Sequence, residues 1–497
     1  MIGSARVRSS AAFVMRHQAF AIVLLIGALV RGLATITYWP AFWFFDGARY
    51  INVSRNWVPD AQRPFGYSAI LRLFDWTGSL ATVTIAQHLL GLGIATGLYA
   101  FLRHRGVATW LAVLGAAPIS LDAYQITIEH YILAETFFTA MLLGSLGLLL
   151  WRRQPSVGMM AGAGLLLALA GLTRTIGLSL VAIVLCYAVI RRMSWRHLVL
   201  FILAWSIPLA GYASWYHQEH GVYELGQYEG RFLYGRVTTF ADCDQLTTLT
   251  AAQRKLCPAE RLGKRELPSA YVWSKAKPQQ QFPRVSDDPI FAGFARAAIV
   301  HQPLDYAYTV LTETLGYFGV RDYPICPGDW EMPDTKQVHC HPRMSGNHGF
   351  DTELASPAYR EPGTLTAIMH SYQRYVYLPG MLWGVLIVVT VWAAVSGALQ
   401  RRRRRGGGRV AKGCVASGPG SSAADNGADA VLLATLSLAL LVLAVATSMF
   451  IYRYGVITLA LLPPAGALAW HQSQSRLQWK VAEASDVVQR VRERQNV

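Results

Sequence analysis

The sequence predicts an all-α membrane protein with about ten transmembrane helices and one inserted extracytoplasmic domain that carries disulfides. Hydrophobic residues make up 53% of the 497 residues, charged residues only 15%, and the mean hydropathy is +0.28. Apolar windows of the length that crosses a bilayer core recur along the chain. A single long polar segment, 217–375, interrupts them and holds four of the six cysteines.

The apolar windows divide the chain into modules. An N-terminal module, 1–216, carries seven windows, and a C-terminal module, 376–471, carries three on either side of a basic, glycine-rich linker at 400–429. The tail, 472–497, has the spacing of an amphipathic helix. The predicted spans are 18–38, 79–101, 107–121, 131–150, 157–172, 176–190, 198–216, 376–399, 430–451 and 455–471.

Basic residues predict the orientation of these spans. In a ten-span arrangement the arginine-rich loops fall on one side, which the positive-inside rule assigns to the cytoplasm together with both termini. The loop at 39–78, the short loop at 122–130 and the insertion then lie on the outer side. Anionic lipid accounts for the net charge of +16, so no nucleic-acid partner is needed. The arginines that set the orientation are Arg6, Arg8, Arg16, Arg103, Arg105, Arg152, Arg153, Arg191, Arg192, Arg196 and Arg401 to Arg405.

The insertion contains Cys243, Cys257, Cys326 and Cys340. Outside the cytoplasm four cysteines in a polar domain indicate two disulfides, and sequential pairing is the simplest of the three connectivities. Histidines flank Cys340 on both sides and a further one stands at His348, which could suggest a zinc site. Their spacing fits no standard zinc pattern, and a disulfide-bonded surface loop that carries histidines explains it as well.

The first outer loop contains the string Asp46-Gly-Ala-Arg-Tyr50, followed by Arg63-Pro-Phe-Gly-Tyr67. On a helix Asp46 and Tyr50 share a face, and the second string ends that helix and turns the chain back toward the membrane. A carboxylate at the mouth of a membrane bundle is costly unless it has a function. Asp46 could simply cap its own helix, which is a frequent role of Asp.

A second string, from Asp122 through Glu129 and His130 to Glu135, joins the third and fourth spans. Glu135 opens an apolar helix, so an ionised carboxylate there needs a basic partner. Arg174 and Arg453, both at outer ends of spans, are the candidates. A structural ion pair that locks helices together is the alternative to a substrate-binding role.

Together these strings resemble the C-type glycosyltransferase superfamily, and in particular its phospholipid-carrier-dependent, protein O-mannosyltransferase-like branch. The similarity covers about residues 18–190 and 445–470. The Thr-Arg174-Thr string departs from the usual Thr-Arg-Pro, and the insertion precedes the last three spans where the soluble domain commonly follows them. The shared motifs are Asp46-x-x-x-Tyr50, Arg63-Pro-x-Gly-Tyr67, Ala134-Glu135-Thr136-x-Phe138, Thr173-Arg174-x-x-Gly177 and Tyr452-Arg453-Tyr454.

The resemblance implies an enzyme that transfers a sugar from a polyprenyl-phosphate carrier to an extracytoplasmic glycan, lipid or protein. Asp46 would be the catalytic base, and Arg174 and Arg453 would bind the carrier phosphate. Glu135 matches a second acidic residue near the substrate, although Asp122 or Glu129 could be the counterpart. The substrate-binding candidates are Tyr50, Arg63, Tyr67, Glu129, His130, Glu135, Arg174 and Arg453.

The chemistry of such a transfer supports this assignment of roles. A carboxylate within reach of the acceptor hydroxyl takes its proton, while guanidinium groups receive the leaving phosphate. Attack opposite the leaving group would invert the anomeric carbon. Mg²⁺ or Mn²⁺ could assist the phosphate, but the sequence offers no ligand set for either ion. The alternatives are a transporter or flippase of a lipid-linked sugar and a non-catalytic envelope-assembly protein.

Overall fold

A computed structural model describes residues 2–42, 45–274, 277–319, 363–406 and 420–475. Apart from one isolated β-bridge, between Phe42 and Tyr131, the regular structure of these residues is helical. The described residues do not include the tail beyond 475 or several cysteines and histidines of the predicted sites. These are Cys326, Cys340, Cys414, His339, His341 and His348.

The helices are labelled in chain order. The first ten are α1 (Ile2–Thr37), α2 (Phe45–Asn56), α3 (Gly66–Arg72), α4 (Leu80–His104), α5 (Thr109–Leu121), α6 (Ala123–His130), α7 (Glu135–Leu150), α8 (Val157–Thr173), α9 (Ile176–Ile190) and α10 (Trp195–His220). The others are α11 (Glu229–Val237), α12 (Ala251–Arg254), α13 (Pro268–Trp273), α14 (Asp288–His301), α15 (Pro303–Gly316), α16 (Thr364–Tyr375), α17 (Gly380–Gly406), α18 (Gly420–Thr447), α19 (Tyr452–Gly455) and α20 (462–475).

Among the described residues, five stretches of helix are long and apolar enough to cross a membrane: His17–Thr37, Leu80–His104, Trp195–His220, Thr364–Gly397 and Asn426–Thr447. A sixth candidate is the pair α5 and α6, which is bent by 43° at Asp122. The predicted spans at 131–150, 157–172 and 176–190 form apolar helices α7, α8 and α9, which have 16, 17 and 15 residues. Each is shorter than the roughly 20 residues that a straight transmembrane helix usually has.

The last predicted span and the predicted linker differ from the structure in their bounds. Over 455–471 the chain first makes a 3-10 turn, Val456–Ala460, and only then enters α20. Helix α17 continues through the basic run to Gly406, and α18 begins at Gly420. The linker predicted at 400–429 is therefore helical at both ends.

Local sequence explains where several helices begin and end. Asp122 caps α6, because its carboxylate accepts hydrogen bonds from the amides of Tyr124 and Gln125. Ser79 and Ser156 cap α4 and α8 in the same way. Helix α10 ends where Gly221 adopts a left-handed conformation, with φ of 78°.

The helices of the first 220 residues pack as a bundle around one large apolar core. Helix α8 packs between α7 and α10, and α5 packs against α1 and α4. The later part of the chain joins this bundle, because α18 contacts α9 and α17.

The described part of the insertion has an apolar core of its own. Tyr234 of α11 packs against Phe291 and Phe294 of α14, with ring centroids 5.3 Å apart in both pairs. Cys243 and Cys257 form a disulfide beside this core, which confirms the first of the two sequentially predicted pairs. Cys186 is a free thiol on α9.

Candidate active site

The first wall of the candidate site is built by the segment from α2 to α3. Asp46 lies in the first turn of α2. Asp60 organises the following loop, since its carboxylate accepts from the Arg49 guanidinium at 2.7 and 2.5 Å and from the amides of Gln62 and Arg63 at 3.0 Å. Held in this way, Arg63 donates through Nη2 to Asp46 Oδ1 at 2.9 Å.

The opposite wall brings together three elements that are distant in sequence. Glu135 is the first residue of α7, Arg174 follows the last residue of α8, and Arg453 lies in α19. Both predicted partners contact Glu135: Arg174 forms an ion pair with it, and Arg453 Nε is 3.4 Å from its Oε1. The ring of Tyr454 lies beneath both guanidinium groups, at 5.0 and 5.3 Å from ring centroid to Cζ.

Arg453 joins the two walls. Its Nη2 lies 3.3 Å from Asp46 Oδ2, so one guanidinium contacts both carboxylates. The charged side chains of the two walls are three arginines and two acids. They are Arg63, Arg174, Arg453, Asp46 and Glu135. The arrangement is therefore suited to an anionic ligand, because arginine binds phosphate oxygens in pairs and stays charged at any working pH.

The same charges set the protonation of Asp46. Burial alone would raise the pKa of its carboxyl, but the positive charges of Arg63 and Arg453 outweigh that effect and lower the pKa below its ordinary value of 3.8. Asp46 is consequently ionised at neutral pH. An ionised carboxylate is the form that can accept a proton.

Between the walls lies a cavity of about 390 Å³, a size typical of small-ligand sites. The insertion contributes part of its lining through Tyr228, Glu229 and Phe232, and the Arg63 guanidinium lies 5.5 Å from the Phe232 ring centroid. Apolar side chains of α9 and α18 complete the lining: Ile176, Leu178, Leu443 and Ala444. The cavity thus joins a charged end to an apolar one.

The structure brings six of the nine sequence-predicted site residues to this cavity: Asp46, Tyr50, Arg63, Glu135, Arg174 and Arg453. Tyr67 lies behind Tyr50, with the ring centroids 4.9 Å apart, and its hydroxyl donates to Gln87 at 3.0 Å. Tyr67, Glu129 and His130 are fully buried and do not line the cavity.

Glu129 belongs to a separate buried network between α1, α4 and α6. Its carboxylate accepts from Arg31 Nε and Nη2 at 2.7 and 2.9 Å, from Gln125 at 2.9 Å, and lies 2.9 Å from His88 Nδ1. His88 in turn contacts His130 at 3.1 Å. An ion pair thus joins helices at Glu129 as well as at Glu135, which pairs with Arg174.

No family model, no curated protein and no solved structure matches this chain. Its function has to be inferred from the cavity and from the motifs that line it.

Among the cavity residues that are absent from the sequence-based candidates are Tyr454, Glu229 and Phe232. The sequence did contain an indication that Tyr454 belongs to the site, because Tyr454 directly follows Arg453. Glu229 and Phe232 belong to the insertion and stand in no motif, so only the path of the chain brings them to the cavity. Glu229 lies in the first turn of α11.

Within the described ranges no group of three His, Cys, Asp or Glu side chains is arranged to hold a metal ion. The histidines around Cys340, which could suggest zinc, lie outside those ranges.

Proposed function

We propose that this protein is a membrane glycosyltransferase that moves a sugar from a polyprenyl-phosphate carrier to a glycan, lipid or protein of the cell envelope. The observation that carries the proposal is the convergence of Asp46, Arg63, Glu135, Arg174 and Arg453 on one cavity. Each of the five motifs that resemble the C-type glycosyltransferases contributes one of these residues.

The reaction needs one base and one site for the phosphate. The acceptor hydroxyl attacks the anomeric carbon, the bond from that carbon to the phosphate oxygen breaks, and the hydroxyl proton passes to Asp46. Arg174 and Arg453, with Arg63 beside them, stabilise the phosphate as it leaves with its electron pair. Attack from the side opposite the phosphate inverts the anomeric configuration.

The guanidinium groups contact the two carboxylates. A donor phosphate would draw Arg63 and Arg453 toward itself and free an oxygen of Asp46 for the acceptor hydroxyl. Glu135 would keep Arg174 and Arg453 in position during this exchange. A Mg²⁺ or Mn²⁺ ion bound to the donor phosphate remains compatible with this scheme.

The proposal includes the predicted membrane arrangement. The short helices α7, α8 and α9, the pair α5 and α6, and the 3-10 turn with α20 would complete ten spans within the bundle. Both termini would be cytoplasmic, and the insertion and the cavity would lie on the outer side. The apolar end of the cavity, at α9 and α18, gives the tail of the carrier a path toward the lipid.

The first prediction tests the base. Asp46→Asn keeps the shape of the side chain but removes its ability to take a proton, so we expect sugar transfer to fall by about 10²- to 10⁴-fold with the fold retained. The measurement is transfer from a synthetic polyprenyl-phosphate sugar by purified protein.

Asp75→Asn is the matched control, because Asp75 is a half-exposed acid that pairs with Arg72 at the surface. It should transfer sugar at the wild-type rate. Equal turnover by Asp46→Asn and the wild type would remove Asp46 from the mechanism.

A transporter or flippase of a lipid-linked sugar is the second candidate function. The buried network of Arg31, His88, Glu129 and His130 favours it, because ionisable groups inside candidate spans often mark transport paths. Reconstitution in liposomes separates the two functions: a flippase would move the donor lipid between leaflets without breaking its sugar-phosphate bond.

A further inference from the structure

Helix α15 of the insertion carries an exposed apolar stripe. Leu304, Tyr308, Leu311 and Leu315 recur at intervals of four, three and four residues, and their exposed fractions are 82, 63, 58 and 37%. With 3.6 residues per turn, all four fall within an arc of about 60° over a length of about 16 Å. A contiguous apolar face of this kind on a soluble surface indicates a contact with another body.

The rest of α15 is fixed to the end of a candidate span. The Tyr306 hydroxyl donates to the carbonyl of Ala446 at 2.9 Å, in the last turn of α18. Glu313 accepts from the amide of Phe450 at 3.2 Å, just beyond that helix. These contacts set α15 beside the point where α18 leaves the apolar bundle, which is the level of a membrane interface.

We propose that α15 is an interfacial helix whose apolar stripe rests in the boundary between lipid head groups and acyl chains. Helices of this type bury one apolar face to a depth of about 5–10 Å while lying along the membrane plane. Helix α15 contains the acids Asp305 and Glu313 and no basic residue. The contact is therefore apolar and does not depend on anionic lipid.

This contact bears on the cavity through α11. Arg236 of α11 is fully buried and forms a bidentate ion pair with Glu313 of α15. Helix α11 also carries Glu229 and Phe232, which line the cavity. By resting on lipid, α15 holds that part of the cavity lining at a fixed height above the bilayer.

Lipid quenching in the full-length protein tests the proposal. Leu311→Cys, made together with Cys186→Ser and Cys414→Ser, is labelled with a bimane fluorophore and placed in nanodiscs of brominated or ordinary phosphatidylcholine. Leu262→Cys is the matched control, because Leu262 is a leucine of the insertion that is exposed to a similar degree. The parent without an added cysteine corrects for background labelling.

We expect brominated lipid to reduce the fluorescence at position 311 and to leave that at position 262 unchanged. Adding anionic lipid or raising the salt concentration should not alter the quenching. Leu304→Cys repeats the measurement at the most exposed position of the stripe and replaces the first variant if that one fails to accumulate.

Equal fluorescence in the two lipids at both stripe positions would overturn the proposal. So would efficient cross-linking of the Leu311→Cys protein into dimers without lipid quenching, because the occupant of the stripe would then be a second copy of the chain.

Discussion

At the scale of single residues, Arg453 is the side chain that connects the two walls of the cavity. It contacts both Asp46 and Glu135, and the ring of the adjacent residue, Tyr454, packs against one face of the guanidinium group. Only a planar fork with several donors can satisfy both carboxylates in this geometry. A compact ammonium group on a flexible chain lacks that fork.

The second prediction follows for Arg453→Lys. We expect the variant to keep its charge but lose one of the two contacts, which would weaken donor binding by about tenfold or more, as for a charge-assisted hydrogen bond. The measurement is the KM for the polyprenyl-phosphate donor alongside kcat.

Arg72→Lys provides the control, because Arg72 forms an exposed ion pair remote from the cavity lining. A donor KM that stays at the wild-type value in Arg453→Lys would show that the site uses only the charge of this residue and not its shape.

The third prediction concerns pH and the stability contributed by Asp46. Its pKa in the folded protein lies below 3.8, because the nearby arginines outweigh the effect of burial. A lowered pKa adds stability that is fully present above the unfolded-state pKa and is lost as the pH falls through the folded-state value.

The stability difference between wild type and Asp46→Asn should therefore be constant from about pH 8 to about pH 5 and shrink only in stronger acid. Thermal unfolding in detergent at a series of pH values measures it. A wild-type stability that rises relative to that of Asp46→Asn as the pH falls from neutral to about pH 5 would mean that the Asp46 pKa is raised.

At the scale of helices, the guanidinium of Arg31 ties α1 to α5 and α6, and His88 joins α4 to this network through Glu129. Arg31 donates from Nε and Nη2 to Glu129 and from Nη1 and Nη2 to the carbonyls of Gly27, Ser120 and Ile119. All five N–H donors of the side chain are used. Gly91 permits the close packing of α4, because a Cβ there would lie 1.9 Å from Glu129 Oε1.

The fourth prediction is that Glu129→Gln destabilises the protein by about 3–5 kcal/mol, because it leaves Arg31 as a buried charge without its counter-ion. Sugar transfer by the fraction that remains folded should be near normal, since Glu129 does not line the cavity. Thermal unfolding together with activity per folded molecule measures both effects.

Asp75→Asn is the reference here as well, since breaking its exposed pair should cost no more than about 1 kcal/mol. If Glu129→Gln proved stable but inactive, Glu129 would have to be assigned a role in the reaction.

At the scale of the whole molecule, the disulfide tests the proposed orientation. Disulfides persist outside the cytoplasm, so a fifth prediction is that Cys243 and Cys257 are oxidised in the cell while Cys186 is reduced. Alkylation of cells followed by mass spectrometry measures the state of each thiol. Free thiols at both positions in the native protein would place the insertion in a reducing compartment.

The sequence predicted the helical class and the membrane character because both follow from composition and apolar windows. It predicted ten spans, whereas the described residues contain five or six candidates by length, since the windows cannot tell a short helix such as α7 from one that is long enough to cross a bilayer. The bend at Asp122 and the 3-10 turn before α20 depend on packing and hydrogen bonds that a window does not contain.

The sequence predicted those contacts of the candidate site in which a charged residue of an apolar helix needs a partner of opposite charge. Glu135 called for a cation, and both candidate arginines contact it. Tyr67 stands only four residues from Arg63, but the turn between them directs the two side chains to different places. The sequence did not indicate that Glu229 lines the cavity, because it stands 183 residues after Asp46. The segment around it contains several polar residues, and the sequence does not show which of its carboxylates faces the cavity.

The contact between Asp46 and Arg453 joins positions 407 residues apart. At synthesis rates of about 5–20 residues per second, the ribosome reaches the second residue about 20–80 seconds after the first. During that interval Asp46 can form its ion pair with Arg63 but not the one with Arg453. The two walls of the cavity can therefore be joined only after the chain as far as Arg453 has been synthesised.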